Sequence, residues 1–109
     1  MFVKKDSFIR TEQYPPVKVL CGFFVATQQL EDGSYASTSS ISDIYEVGET
    51  LLEACMAYLS SIVDELYWLQ EHLHELSIPL QNYYKVLQSY LLPVPPPPRK
   101  RGRKRISSQ

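Results

Sequence analysis

Residues 51–76 read LLEACMAYLSSIVDELYWLQEHLHEL, the most ordered stretch of this 109-residue sequence. Leucine recurs at every seventh position, and a second apolar residue follows three positions after each leucine. This spacing is typical of the a and d positions on one side of an α-helix. The leucines are Leu52, Leu59, Leu66 and Leu73, and their followers are Cys55, Ile62, Leu69 and Leu76. The stretch predicts a long amphipathic helix.

The leucine repeat continues at Leu80 and Leu87, but Pro79 separates these positions from the first four leucines. Proline is tolerated in the first turn of a helix and breaks a helix interior. We therefore predict a second, shorter helix from about Pro79 to Leu92, which Pro93 ends.

The length of the first helix requires something to cover it. Glu49 to Leu76 is 28 residues, or about 42 Å of helix, whereas a compact domain of 100 residues has a radius of gyration of about 13 Å. One hypothesis is a homodimer or higher oligomer, held together by the heptad positions Leu52, Leu59, Ile62, Leu66, Leu69 and Leu73. The alternative is a helical hairpin within one chain.

The residues before the helix predict a β-hairpin. Residues 17–27 are rich in β-branched and aromatic side chains, which favours a strand. Residues 31–34, with the pair Asp32-Gly33, favour a turn, and residues 35–38 a short returning strand. Ser40 or Ser42 is then expected to cap the helix. The predicted fold class is α+β and mainly helical, with this hairpin packed on the long helix and the shorter C-terminal helix.

The end of the chain has a different composition. Residues 93–98 contain five prolines, which favours a polyproline II spacer about 19 Å long. We therefore predict a folded domain at residues 1–92, followed by a disordered proline-rich and basic tail at residues 93–109.

The basic tail suggests a polyanionic partner. Of 11 Lys and Arg in the chain, six lie in one seven-residue run; without them, 5 basic residues face 12 acidic ones. Lys and Arg bind nucleic acid by neutralising phosphates. We expect DNA or RNA contacts from this run, with help from Lys4, Lys5 and Arg10. The run is Arg99, Lys100, Arg101, Gly102, Arg103, Lys104 and Arg105.

Arg101-Gly102-Arg103, flanked by further basic residues, resembles the AT-hook, a short arm that lies in the A·T-rich minor groove. The AT-hook has a proline after its Gly-Arg pair, where this chain has Lys104. The same run resembles a nuclear localisation signal, which implies a nuclear location if the protein is eukaryotic or viral.

An acidic stretch offers a second hypothesis. Residues 19–84 contain no Lys or Arg and ten carboxylates. The protein would then be a protein–protein adaptor that binds a basic partner on its acidic helix face, with the tail as a localisation signal.

Several functional classes have no sequence support. The chain has no Gly-rich phosphate loop, no Gly-x-Ser-x-Gly motif and no zinc-ligand spacing. Glu71 and His74 in the segment EHLHE fall on the side of the helix opposite the leucines. We therefore expect no enzyme activity, metal or cofactor.

The cellular location is predicted from the cysteines and the hydropathy. Cys21 and Cys55 lie among apolar neighbours and are expected to be buried free thiols, as in intracellular proteins. No apolar run is long enough to span a membrane, and we expect no signal peptide. The resulting hypothesis is a small, self-associating accessory or regulatory protein that contacts nucleic acid through its tail, in the cytoplasm or nucleus.

Overall fold

The computed structural model describes residues 1–94. They form seven strands and two helices, with a short 3-10 turn at Leu73–Glu75 between the helices. In chain order the elements are β1 (Phe2–Val3), β2 (Phe8–Ile9), β3 (Val17–Val19), β4 (Phe23–Gln29), β5 (Tyr35–Ser39), β6 (Ser42–Gly48), α1 (Leu51–Glu71), α2 (Ile78–Tyr90) and β7 (Leu91–Pro93).

The strands form two antiparallel sheets. The larger has the order β1-β4-β5-β6 and the smaller the order β2-β3-β7. Helix α1 packs on one face of the larger sheet, and α2 follows it to return the chain to the smaller sheet. The last strand, β7, pairs with β3, which joins the end of the described chain to its beginning.

The prediction of a mainly helical fold is wrong, because residues 1–94 form an α+β fold with seven strands in two sheets and two helices. Residues 17–27 are not one strand. The chain bends at residues 20–22, so β3 and β4 enter different sheets. Residues 42–48 are also a strand rather than the start of a helix, since Ile44, Tyr45 and Val47 are typical strand residues.

Both helices start at caps of the expected chemistry. For α1 the cap is Thr50, not Ser40 or Ser42: its Oγ1 accepts a hydrogen bond from the N–H of Glu53 (3.1 Å), whose carboxylate accepts one from the N–H of Glu49 (3.1 Å). For α2 the cap is Ser77, with Pro79 in the first turn. Helix α2 ends at Tyr90, before the predicted Leu92, because the next residues pair with β3.

The heptad positions of α1 divide into buried and exposed residues. Leu59, Ile62, Leu66 and Leu69 are buried in a core shared with residues of both sheets and α2. Leu52 and Leu73 are 64% and 43% exposed. Four of the six predicted interface residues therefore lie inside the single chain.

Replacing Leu66 and Leu52 in turn tests this division. We expect Leu66→Ala to lower the free energy of unfolding by about 2–5 kcal/mol, because it leaves a cavity in the core. Leu52→Ala should cost less than about 1 kcal/mol, because its side chain is exposed. Urea unfolding measures both, and equal losses would contradict the assignment.

Gly48 lets β6 end close to the start of α1. A Cβ atom there would lie 2.5 Å from the backbone N of Ala54 and 2.8 Å from the backbone C of Glu53. Backbone atoms cannot move aside as the end of a flexible side chain can, so this junction requires glycine.

We expect Gly48→Ala to destabilise the protein by about 1–3 kcal/mol, the usual cost of forcing an extra group into a packed site. Gly33→Ala is the matched control. Gly33 has a φ of +91° but nothing within 4 Å of an added Cβ, so that change should cost about 1 kcal/mol from backbone conformation alone. Thermal unfolding of both variants gives the comparison, and a smaller loss at Gly48 would contradict the account.

Serine hydroxyls join the strands to the helices. Ser37 donates to the backbone oxygen of Ala54 (2.5 Å), and Ser39 shares a hydrogen bond with the Tyr58 hydroxyl (2.5 Å). Ser42 shares one with the Tyr83 hydroxyl (2.8 Å). Burial raises the pKa of Tyr58 and raises that of Tyr83 to about 12.

The raised pKa of Tyr83 predicts a loss of stability at alkaline pH. In the unfolded chain this tyrosine titrates near 10, and in the folded protein near 12. Its contribution is present below pH 10 and is lost as the pH rises towards 12, because the unfolded chain loses the proton first. We expect Tyr83→Phe to fall less steeply in stability over this range than the unmodified protein. Urea unfolding at several pH values measures the slopes, and identical slopes would contradict the prediction.

Candidate nucleic-acid interface

The predicted nucleic-acid-binding residues, Arg99 to Arg105, and prolines 95–98 lie outside the described residues. The structure does fix the position from which the tail begins. Pro93, predicted as the first spacer residue, is instead the last residue of β7 and pairs with Val17. The N–H of Val94 donates to the backbone oxygen of Pro16 (3.0 Å). The tail therefore starts beside β3.

Of the five basic residues in the described part of the chain, four lie in or next to strands β2 and β3 of the smaller sheet. Lys4 and Lys5 lie in the turn between β1 and β2, Arg10 directly follows β2, and Lys18 is the middle residue of β3. The fifth, Lys85, is on α2. We call Lys4, Lys5, Arg10 and Lys18 the N-terminal basic cluster.

The turn that carries Lys4 and Lys5 is anchored to β3. Both the N–H and the hydroxyl of Ser7 donate to the backbone oxygen of Lys4 (3.3 and 2.6 Å). Asp6 has a φ of 68°, a left-handed conformation that Asp tolerates better than most residues, and its N–H donates to Val19 (2.7 Å). The two lysine side chains are exposed on this turn.

Arg10 and the start of the tail lie at the same end of the smaller sheet. Ile9 pairs with Val17, and Val17 pairs with Pro93. Arg10 follows Ile9 on one outer strand, and Val94 follows Pro93 on the other. Arg10 and Val94 are therefore two strand spacings apart. This separation is about 10 Å between the two backbones.

The basic cluster is weakly neutralised. Among residues 1–94 there is one ion pair, between Lys18 Nζ and Asp6 Oδ1 at 3.6 Å. Both of its side chains are well exposed, so it contributes little to stability. Lys4, Lys5 and Arg10 are exposed and have no ion-pair partner within that part of the chain.

An exposed aromatic ring accompanies these charges. Phe8 is 47% exposed, and the guanidinium carbon of Arg10 lies 5.8 Å from the centre of its ring. Phe8 also lines an apolar groove of about 340 Å³, together with Phe2 and Met56. Aromatic rings beside basic residues are what single-strand-binding proteins use to stack bases while holding phosphates.

A second depression beside Arg10, of about 690 Å³, does not suit a free phosphate. Glu12 and Asp64 line it together with Arg10, so two carboxylates accompany one guanidinium. Thr11 also lines it, with a buried Oγ1 that has no hydrogen-bond partner in residues 1–94.

Several acidic residues have structural roles. Glu46 accepts a hydrogen bond from the Ser61 hydroxyl (2.6 Å), and Glu53 belongs to the cap of α1. The side chain and N–H of Ser34 donate to Asp32, which lowers the pKa of that carboxyl. A basic protein partner on the acidic helix face stays a prediction.

The histidine-rich segment is occupied by local contacts. The His72 ring stacks on Trp68 with centres 4.2 Å apart, and its Nδ1 lies 2.8 Å from the Trp68 backbone oxygen. Within residues 1–94 no three or more His, Cys, Asp or Glu side chains are grouped to hold a metal ion. No helix in that range is long and apolar enough to cross a membrane. Cys55 is buried as predicted, whereas Cys21 is exposed.

No protein-family model matches the sequence, and the comparisons with curated proteins and with solved structures found no match. The chemistry of the basic cluster and the tail is therefore the basis for a functional proposal.

Sequence reasoning did not find Lys18 or Phe8 as candidate site residues. Each lies beside buried residues, in Phe8-Ile9 and Val17-Lys18-Val19, but strands this short leave no clear period-two pattern in the sequence. The pairing of Phe8 with Lys18 depends on the register of β2 and β3, which single-sequence patterns do not reveal.

Proposed function

We propose that this protein is a non-enzymatic nucleic-acid-binding protein that holds single-stranded DNA or RNA between its N-terminal basic cluster and its basic tail. The supporting observation is the pairing of β7 with β3, which starts the tail on the sheet that carries Arg10 and Lys18. The cluster and the start of the tail are separated by most of the chain in sequence, but Val94 lies beside β3.

The charge distribution favours one mode of approach. Residues 19–84 carry ten carboxylates and no Lys or Arg, so this part of the domain repels phosphates. A nucleic-acid strand is therefore attracted to the part of the molecule that carries the N-terminal basic cluster. Neutralising phosphates there releases counterions, which makes the affinity fall as salt rises.

Phe8 gives this surface a preference for single strands. Its exposed ring offers a face for a base to stack on, with Arg10 beside it for the adjacent phosphate. Stacking on an aromatic side chain contributes about 1–3 kcal/mol per base, and it requires bases that are not already paired.

Titrations of the full chain with single-stranded and duplex oligonucleotides at several salt concentrations test the proposal. Replacing Lys4, Lys5 and Arg10 with alanine should weaken binding and reduce the salt slope on single strands by about 0.7 for each lost phosphate contact. Phe8→Ala should weaken single-strand binding by about 1–3 kcal/mol and leave duplex binding nearly unchanged.

Lys85→Ala is the matched control, because it removes an exposed positive charge on α2. It should leave both the affinity and the salt slope unchanged. Absence of binding by the unmodified chain at low salt would disprove the function. If Lys85→Ala weakens binding as much as Arg10→Ala does, the proposed binding surface is wrong.

A further inference from the structure

The larger sheet has one face that nothing in residues 1–94 covers. Helix α1 packs on the other face, against inward residues such as Phe23 and Val25. Outward residues of an antiparallel sheet that faces water are normally polar. Here six of nine are apolar or aromatic. The nine, which we call the open sheet face, are Phe2, Phe24, Ala26, Gln28, Ala36, Thr38, Asp43, Tyr45 and Val47.

Large side chains stand towards the edges of this face. Phe24 and Tyr45 are 69% and 67% exposed. Phe2 pairs with Phe24 across the strands, with ring centres 4.8 Å apart. Gly22 makes room for this pair, since a Cβ there would lie 2.6 Å from the Phe2 ring.

The middle of the face carries small side chains and is shallower than its surroundings. Ala26 pairs with Thr38, and Ala36 pairs with Val47, so small side chains separate the aromatic pair from Tyr45. The face thus has both projecting rings and a shallow floor that can receive rings from another surface.

The edges of the face have opposite charge. On the β1 edge the chain continues directly into Lys4 and Lys5. On the β6 edge the exposed charged residue is Asp43. The pairing of Phe2 with Phe24, and of Ser42 with Ser39, puts the lysines and Asp43 near the same end of the sheet. Among the nine residues of the open sheet face, Asp43 is the only charged one, and Lys4 and Lys5 lie just beyond its β1 edge.

We propose that the open sheet face binds a second copy of this chain, face to face, about a two-fold axis parallel to the strands. This axis reverses the strand order in the partner copy, so the basic β1 edge of each copy covers the acidic β6 edge of the other. An axis perpendicular to the strands would instead place β1 over β1 and β6 over β6, with the lysines of the two copies at opposite ends of the sheet. Neither the lysines nor Asp43 would then face the opposite charge. Sheets packed face to face keep their strands within about 30° of each other, which this arrangement satisfies.

The size of the face predicts a weak dimer. The four strands have 21 residues in all, which cover roughly 340 Å² at normal strand spacing and rise. A standard stable interface buries about 800 Å² on each partner. We therefore expect a monomer–dimer equilibrium that shifts with protein concentration and weakens with salt, as charged edges require.

Sedimentation velocity of the full chain over a wide concentration range tests this proposal. Phe24→Ser should weaken dimerisation at least about tenfold, as expected for a large exposed ring that becomes buried in an interface. Leu52→Ser is the matched control, because Leu52 is an exposed apolar residue on α1, outside this face, and its replacement should leave the equilibrium unchanged. Thermal unfolding verifies that both variants fold, and Tyr45→Thr gives an independent second variant.

A charge exchange tests the orientation. Asp43→Lys should weaken the dimer, Lys4→Asp with Lys5→Asp should also weaken it, and combining all three changes should restore it. A chain that stays monomeric at every concentration would overturn the proposal, as would a dimer that Phe24→Ser leaves intact. If the chain is monomeric and Phe24→Ser instead weakens oligonucleotide binding, the face takes bases and the proposal is wrong.

Discussion

Along α1, the side chains of Tyr58, Ile62 and Leu66 are fully buried, and they lie in one core with residues of both sheets and α2. Each such side chain contributes about 1.5–3 kcal/mol when it leaves water. In residues 1–94 the larger sheet is covered on one face only, by α1, and the buried residues of the smaller sheet belong to the same core. Both sheets therefore depend on this helix. The position of α1 in turn depends on Gly48 and on the Thr50 cap, which set where β6 ends and the helix begins.

The return of the chain through α2 to β7 determines where the basic tail begins. Because β7 pairs with β3, the strongly basic end of the sequence begins beside the basic residues of the first strands. The carboxylates lie mainly between residues 31 and 75, on the later strands, on α1 and in the turns beside them. The larger sheet turns its uncovered face, with Phe24 and Tyr45, away from α1. Nucleic-acid binding and self-association are therefore proposed for neighbouring surfaces of one small domain, and Lys4 and Lys5 lie where the two surfaces meet.

Local patterns in the sequence were sufficient for some elements and not for others. The heptad of leucines and the position of Pro79 located two helices. The same heptad could not say whether Leu59 and Leu66 face a second chain or the chain's own sheets, because burial depends on distant strands. Strands of two or three residues, such as β2 and β7, are too short to leave a period-two pattern. Their pairing brings Arg10 near Val94, so the candidate surface could not be assembled from sequence.

The most direct test of this account is a nuclear magnetic resonance titration of the isotope-labelled full chain with a short single-stranded oligonucleotide. We expect the amide signals of residues 4–10 and 17–18 to shift together with those of the basic tail, while signals of α2 around Lys85 do not move. Shifts confined to the tail would show that the pairing of β7 with β3 does not create a shared surface. Shifts centred on α1 or α2 would contradict the placement of the site itself.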